Sequence, residues 1–157
     1  MSSMQSQRIA VRALLAIAAA TVCAGVFSIN AATPEPKVLA YQLPDKIHWT
    51  GNDAVKQAVL AGDPSKPGLY VVLTKWLPHH MSHPHFHPND RYIYVISGTW
   101  WVGTGSKYDP DRTTPIPAGS FVTHYGKQIH YDGAKDEEAI LEIVGMGPAT
   151  STPAEVK

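Results

Sequence analysis

Histidines are the residues of this sequence best suited to chemistry. The chain contains eight, and five of them lie close together, at His79, His80, His83, His85 and His87. Alternate residues of an extended segment project to the same face, so His83, His85 and His87 can present their imidazoles together. Pro84 and Pro88 favour such an extended backbone. Neutral imidazole binds zinc, iron, manganese, nickel and copper, so the pattern predicts a divalent transition-metal site, with an exposed His-rich loop as the alternative.

A metal site needs further ligands from another part of the chain. His124 and His130 are the imidazoles that follow the turn-rich middle of the sequence. His124 is equally a candidate for a hydrogen-bonded core histidine. His79 and His80 are expected to be solvated.

The elements that must position these histidines are predicted to be short strands. Residues 69–77, 92–102, 121–125, 129–131 and 139–144 are β-rich runs between turn residues, and Ser97-Gly98 divides the second run into two strands. Residues 53–60 fit either a helical turn or an edge strand. With 12 glycines, 13 prolines and no long amphipathic pattern, the sequence predicts an all-β sandwich or jelly roll whose helices are no longer than about three turns.

The alternation of side chains along these strands predicts which of them are buried. Trp100 and Trp101 are successive, so one is expected to face the interior and the other to face outward. Tyr92, Tyr94 and Ile96 share one face of their strand, and core packing is the expected role for them.

Composition limits the class of protein. A chain of 157 residues suits one domain, and 13 basic against 13 acidic residues provide no excess positive charge for nucleic acid. The apolar fraction of 44% is ordinary for a globular protein. A single cysteine excludes an intramolecular disulfide, so packing, oligomerisation or a metal must hold the domain together.

The first 32 residues have the layout of a secretory signal peptide. Arg8 and Arg12 precede an uncharged apolar run, residues 13–29, and small residues follow at Ala31 and Ala32. An uncleaved membrane anchor is the alternative. Cys23 is expected to be part of the apolar run and not a lipidation site. Cleavage predicts a periplasmic or secreted protein that has no membrane contact once the peptide is removed.

The histidine spacing also carries a family resemblance. His85-Phe86-His87 is followed, after three residues, by Arg91 and, after six further residues, by Gly98. His130 lies eleven positions after Gly119. This two-part spacing resembles the two motifs of the cupin superfamily. Four further segments are similar to small secreted bacterial single-domain cupins, namely HPNDR (87–91), GTWWVGTG (98–105), PAGSF (117–121) and GP (147–148).

The resemblance implies a cupin double-stranded β-helix, a jelly-roll barrel, over residues 67–148. An N-terminal extension with edge strands (33–66) would precede it, and a tail (149–157) would follow. It implies that His85, His87 and His130 ligate a divalent transition metal, one of Fe, Mn, Zn, Ni or Cu. His83 lies outside the motif register.

The sequence departs from the cupin pattern at the fourth ligand. Arg91 stands where the cupin motif has Glu, and an arginine side chain has no lone pair for a cation. Asp90 is adjacent but would point to the opposite face. Two interpretations of Arg91 remain: a charge that pairs with Asp90 or with an anionic substrate, and a solvated charge at the end of a strand. In the second motif, Tyr125 and Lys127 replace the Pro and the Gly.

Two functions follow from the resemblance. The first is a metal-dependent oxidoreductase, dioxygenase-like, or an isomerase, acting on a small organic molecule. The alternative is a noncatalytic cupin that binds a small molecule or a metal. The expected partner is a small-molecule ligand or substrate, with no nucleic acid, and a homodimer is a further expectation.

Overall fold

The computed structural model describes residues 38–156, which form strands, loops and two single-turn 3-10 helices, Pro44–Lys46 and Pro110–Arg112. In chain order the strands are β1 (Thr50–Gly51), β2 (Val55–Ala61), β3 (Gly68–Trp76), β4 (His80–Met81), β5 (His85–Phe86), β6 (Arg91–Ser97), β7 (Thr99–Thr104), β8 (Thr114–Pro117), β9 (Phe121–His124), β10 (His130–Ala134), β11 (Ala139–Gly147) and β12 (Thr152–Pro153). The prediction of an all-β fold is confirmed for this part of the chain. The predicted signal peptide, residues 1–32, lies outside the described residues and stays a prediction.

The strands form two antiparallel sheets. The first sheet has the order β1-β2-β3-β11-β6-β9, and the second has the order β12-β5-β10-β7-β8, with β4 also paired to β10. From β3 onward the chain passes repeatedly from one sheet to the other, because β6, β9 and β11 belong to the first sheet while β7, β10 and β12 belong to the second. This winding is that of a jelly roll. No helix among residues 38–156 is long and apolar enough to cross a membrane.

The ambiguous segment 53–60 is resolved by its pairing. Residues Val55–Ala61 form strand β2, which pairs antiparallel with β3, and Ala58 lies opposite Leu73. The helical alternative is therefore wrong. The other predicted strands lie within one to three residues of the observed ones, which is the usual uncertainty of strand ends.

The turn between β6 and β7 requires a glycine. Gly98 has a φ of 70°, in the left-handed region that residues with a Cβ avoid. A Cβ at this position would also collide with the backbone carbonyl oxygen of Glu138. The predicted division of the 92–102 run at Ser97-Gly98 is confirmed.

The core lies between the two sheets. Its buried members come from β3, β6, β7, β10 and β11 and are Tyr70, Val72, Trp76, Ile93, Val95, Trp100, Ala134, Ala139, Leu141 and Ile143. Trp100 is fully buried, while Trp101 is partly exposed and stacks under the Lys135 ammonium, 4.1 Å from the ring centroid. The opposite orientation expected for the two tryptophans is confirmed.

The expected core role of Tyr92, Tyr94 and Ile96 is wrong. All three lie on the outer face of β6 and are 46–49% exposed, whereas Ile93 and Val95 are fully buried. Both faces of β6 carry apolar side chains, so alternation alone does not show which face points inward. The consequence matters for the site, because Arg91 shares the inward face with Ile93 and Val95.

Candidate metal centre

Three histidines meet beside the second sheet. His85 on β5 lies directly opposite His130 on β10, so the two side chains share one face. His87 follows two residues after His85 and keeps the same parity. Their ligand nitrogens all lie within 4.8 Å of one another, and Nε2 of His85 is 3.2 Å from Nε2 of His87. The structure thus brings together the three histidines that the sequence predicts as ligands.

The other nitrogen of each ring fixes its orientation. Each Nδ1–H donates to a backbone carbonyl: His85 to His83 at 2.8 Å, His87 to Thr150 at 2.8 Å and His130 to Gln128 at 3.0 Å. Because a carbonyl only accepts, the proton of each neutral ring resides on Nδ1 and the lone pair on Nε2. The three lone pairs therefore belong to the nitrogens that face one another.

Burial keeps the rings of His87 and His130 neutral. Desolvation, with a smaller contribution from the charge of Arg91, lowers the pKa of His87 to about 3. Desolvation also lowers the pKa of His130 to about 4, although nearby Asp132 opposes the shift. At neutral pH both imidazoles are uncharged, which is the form that binds a metal.

Arg91 lies inside the barrel and not at a solvated strand end. Its Nη2 lies 3.0 Å from Nδ1 of His124 and 3.4 Å from Nε2 of His130, and both imidazole nitrogens can accept from it. The suggested pair with Asp90 is absent among the described residues, because the Asp90 carboxylate instead accepts from the backbone N–H of Gly126 at 2.7 Å. The interpretation of Arg91 as a solvated charge at the end of a strand is therefore wrong.

Asp132 is a buried charged residue that the sequence analysis missed. Trp100 Nε1–H and the Ser82 hydroxyl each donate to one of its carboxylate oxygens, both at 3.0 Å. Burial alone would raise its pKa, but the nearby His124, His130 and Arg91 outweigh burial and lower it. The sequence could have predicted this position, because Asp132 follows His130 by two residues on one strand, so the two side chains face the same interior.

The fold of this chain is seen in solved structures. The polyketide cyclase RemF from Streptomyces resistomycificus aligns over 76% of this chain and 87% of its own, with 14% identity and a TM-score of 0.63. The cupin-2 domain Rru_A2000 from Rhodospirillum rubrum aligns over 76% of this chain and 80% of its own, with 14% identity and a TM-score of 0.56. This chain has the cupin fold.

A third solved structure agrees with that assignment. An uncharacterised conserved protein with a double-stranded β-helix domain, from Klebsiella pneumoniae subsp. pneumoniae MGH 78578, aligns over 74% of this chain and 97% of its own. Its identity is 21% and its TM-score is 0.56. No protein-family model and no curated protein matches the sequence. At these identities the similarity shows the cupin fold alone.

The remaining histidines of the cluster lie outside this cupin site. His83 is exposed, and its Nδ1 lies 3.0 Å from a carboxylate oxygen of Glu155. His80 donates from Nδ1 to the carbonyl of Pro78 at 2.8 Å, and His79 is exposed. His124 is buried under Trp100, with 5.1 Å between ring centroids, and accepts from Arg91, as expected for a hydrogen-bonded core histidine.

Two adjoining cavities open onto the cupin site. Their volumes are about 370 and 460 Å³, and both are lined by Gln57, His87, Arg91, Ile143 and Ser151. The first cavity also reaches His85, and the second reaches Thr150, whose carbonyl orients His87. A small molecule in this space would lie beside the imidazoles of His85 and His87 and the guanidinium of Arg91. The sequence could not predict the role of the Thr150 carbonyl, because every residue has a backbone carbonyl.

Proposed function

We propose that this cupin is a metal-dependent oxidoreductase that uses O₂ to oxidise a small organic molecule, in the manner of a dioxygenase. One observation carries the proposal: three oriented Nε2 lone pairs converge beside a cavity, with no fourth protein ligand at the Arg91 position. Three protein ligands leave coordination positions free for other molecules.

The donor set fits a divalent transition metal. His85, His87 and His130 would hold it through three neutral nitrogens, which suit Fe, Mn, Ni, Cu or Zn and not the oxygen-seeking Mg or Ca. Such an ion supplies Lewis acidity and the capacity to exchange electrons, except for Zn. The three imidazole rings need no reorientation when a metal binds, because each ring is already held by its own backbone carbonyl.

The residues of the chain contribute binding and water exclusion. Ile143 and Trp76 form an apolar part of the cavity wall and limit the water that reaches a bound substrate. The guanidinium of Arg91 places positive charge beside the same space. The similarity to RemF, a polyketide cyclase, supports an enzyme that acts on a small organic molecule, but a shared fold does not specify the reaction.

Metal analysis and oxygen uptake test the proposal together. Protein purified without a His-tag should contain about one equivalent of Fe, Mn, Ni or Cu and should consume O₂ when supplied with enolic or phenolic compounds. The His85→Ala/His130→Ala double variant should lose both properties, and His79→Ala should keep both. Stoichiometric metal without O₂ consumption for any compound would contradict the oxidoreductase.

A noncatalytic binder is the second candidate. The observation in its favour is that Arg91 Nη2 approaches Nε2 of His130, the nitrogen whose lone pair a metal needs. If the guanidinium keeps this position, it takes part of the place of a cation. Zinc or no metal in the purified protein, together with no turnover, would favour this function.

A further inference from the structure

The guanidinium of Arg91 is a partly buried charge without an anionic partner among the described residues. Among residues 38–156 its side chain hydrogen-bonds only to two imidazoles, those of His124 and His130, and its buried Nε–H has no acceptor. No carboxylate lies within salt-bridge distance of it in this part of the chain. Buried arginines in proteins are usually paired, so this arrangement requires an explanation.

The one acidic side chain nearby is already engaged. Asp132 is buried, and its two carboxylate oxygens accept from Ser82 and from Trp100. Its charge raises the pKa of Arg91 through space, but no hydrogen bond or salt bridge joins the two side chains. A divalent cation held by the three histidines would add two further positive charges, so one carboxylate would leave the site strongly positive.

The space next to the guanidinium suits a small organic anion. Tyr70, Gln57 and Ser151 line the adjoining 460 Å³ cavity and carry hydrogen-bond donors. Val72 and Ile143 line the same cavity and provide apolar surface. A planar carboxylate matches the fork of donors that a guanidinium offers, and a short carbon skeleton matches the apolar wall.

We propose that Arg91 binds the carboxylate of a small organic acid in this cavity, and that organic acids are the substrate class of the site. The substrate assignment rests on the proposed function, whereas carboxylate binding by Arg91 does not. The replacement of the cupin Glu by Arg thus exchanges a cation ligand for an anion ligand at one position of the barrel.

Calorimetric titration of the full-length protein tests this inference. The probes are benzoate, acetate and pyruvate, each compared with a neutral counterpart where one exists, benzamide or acetamide. The proteins are wild type, Arg91→Gln, Arg91→Lys and the matched control Arg112→Gln, which removes an exposed arginine. Each is titrated both metal-free and after loading with one equivalent of Co²⁺, and the metal content of every sample is measured.

At least one acid should bind the wild type and Arg112→Gln alike, at least about tenfold more weakly to Arg91→Gln, and with intermediate affinity to Arg91→Lys. Neutral amides should not bind. The inference is overturned if no acid binds more tightly than its amide, a comparison that needs only the wild type, or if Arg91→Gln binds the acids as the wild type does. If the protein takes up no metal but still binds acids through Arg91, the proposed function and the substrate assignment fail, and carboxylate binding by Arg91 stands. If the protein binds metal but Arg91→Gln binds the acids as the wild type does, this inference fails, and the proposed function is decided by O₂ consumption alone.

Discussion

At the scale of single residues, the site depends on the orientation of three rings by backbone carbonyls. Substitution of a neighbouring side chain does not remove a carbonyl, so the tautomer of each imidazole tolerates sequence change nearby. Arg91 is different, because its side chain itself contacts His130 and carries a full charge. Apart from the three histidines, Arg91 is therefore the residue whose replacement should change the affinity of the site for cations most directly.

Removal of the Arg91 charge should strengthen metal binding. The guanidinium repels a cation and donates toward the nitrogen that must coordinate it, so Arg91→Gln should bind Co²⁺ about tenfold or more tightly than the wild type. Competition with a chelating dye at pH 7.5 gives the affinity, with Arg112→Gln as the control for loss of a surface charge. Equal or weaker Co²⁺ binding by Arg91→Gln would show that the guanidinium does not oppose the metal.

The metal-free protein should lose stability as the pH falls from about 6.5 to about 4. Burial lowers the pKa of His87 to about 3 and that of His130 to about 4, and the unfolded chain has the ordinary value of 6.5. Within this window the unfolded chain binds more protons than the folded one, so acid favours unfolding. Above pH 6.5 these histidines are neutral in both states, and the free energy of unfolding no longer depends on their protonation. Urea unfolding with a chelator present gives the free energy at each pH. A His130→Gln variant should show a shallower decline, and a wild-type free energy that stays constant between pH 7 and 5 would be inconsistent with buried neutral rings.

At the scale of elements, the C-terminal segment takes part in the site. Strand β12 pairs with β5, the strand of His85, and Ala154 N–H donates to the carbonyl of Pro84 at 2.8 Å. Thr150, just before β12, supplies the carbonyl that orients His87. This segment holds two of the three histidines in place.

Truncation of that segment should weaken metal binding. A chain that ends at Gly147 loses the Thr150 carbonyl and strand β12, so metal affinity should fall about 10- to 100-fold. A chain that ends at Ala154 keeps both and is the matched control. Dye competition compares the two, and circular dichroism checks that both retain the β-sheet spectrum. Identical affinities would mean that the carbonyl of Thr150 is dispensable.

The sequence predicts the strands and the three histidines well, because alternation and motif spacing are local properties. It does not predict which face of β6 is inside, since Ile93 and Val95 on one face are as apolar as Tyr92 and Tyr94 on the other. The position of Arg91 depends on that choice. The hydrogen bonds from Trp100 to Asp132 and from His87 to the Thr150 carbonyl join distant segments that only the tertiary fold brings together.

At the scale of the whole molecule, the outer face of the first sheet is strongly apolar. Its exposed large side chains, 46–65% accessible, are Leu69, Tyr92, Tyr94, Ile96, Phe121 and Met146. They come from neighbouring strands, and Tyr92 stacks on Phe121 with ring planes 12° apart. Together they expose on the order of 600 Å², which is close to the area that each partner buries in a small specific interface. A second copy of this chain, which offers the same face, is the partner that we expect here.

Light scattering after size exclusion tests this expectation. The wild type should have the mass of a dimer, and Tyr94→Glu/Phe121→Glu should be monomeric because it places two charges on this apolar face. Thr114→Glu, at an exposed position of β8 in the second sheet, is the control and should remain dimeric. A monomeric wild type would exclude self-association through this face.

Export is the second expectation at this scale. The arrangement of Arg8, Arg12 and the apolar run 13–29 predicts cleavage between about residues 28 and 32. N-terminal sequencing of protein recovered from the periplasm or medium should find the new terminus there. Leu15→Asp interrupts the apolar run and should leave the protein inside the cell. An exported protein that still begins at Met1 would contradict cleavage.

Metal content of single-histidine variants is the most direct test of the three-histidine centre. The protein is purified without a His-tag and analysed for metal, and the melting temperature is measured with and without chelator. His130→Ala should lose the metal and its stabilisation, whereas His79→Ala and His83→Ala should keep both; the backbone carbonyl of residue 83, which orients His85, is retained in the latter. Equal loss of metal in His83→Ala and His130→Ala would mean that the His-rich segment holds the ion, and unchanged metal in His85→Ala/His130→Ala would reject the site.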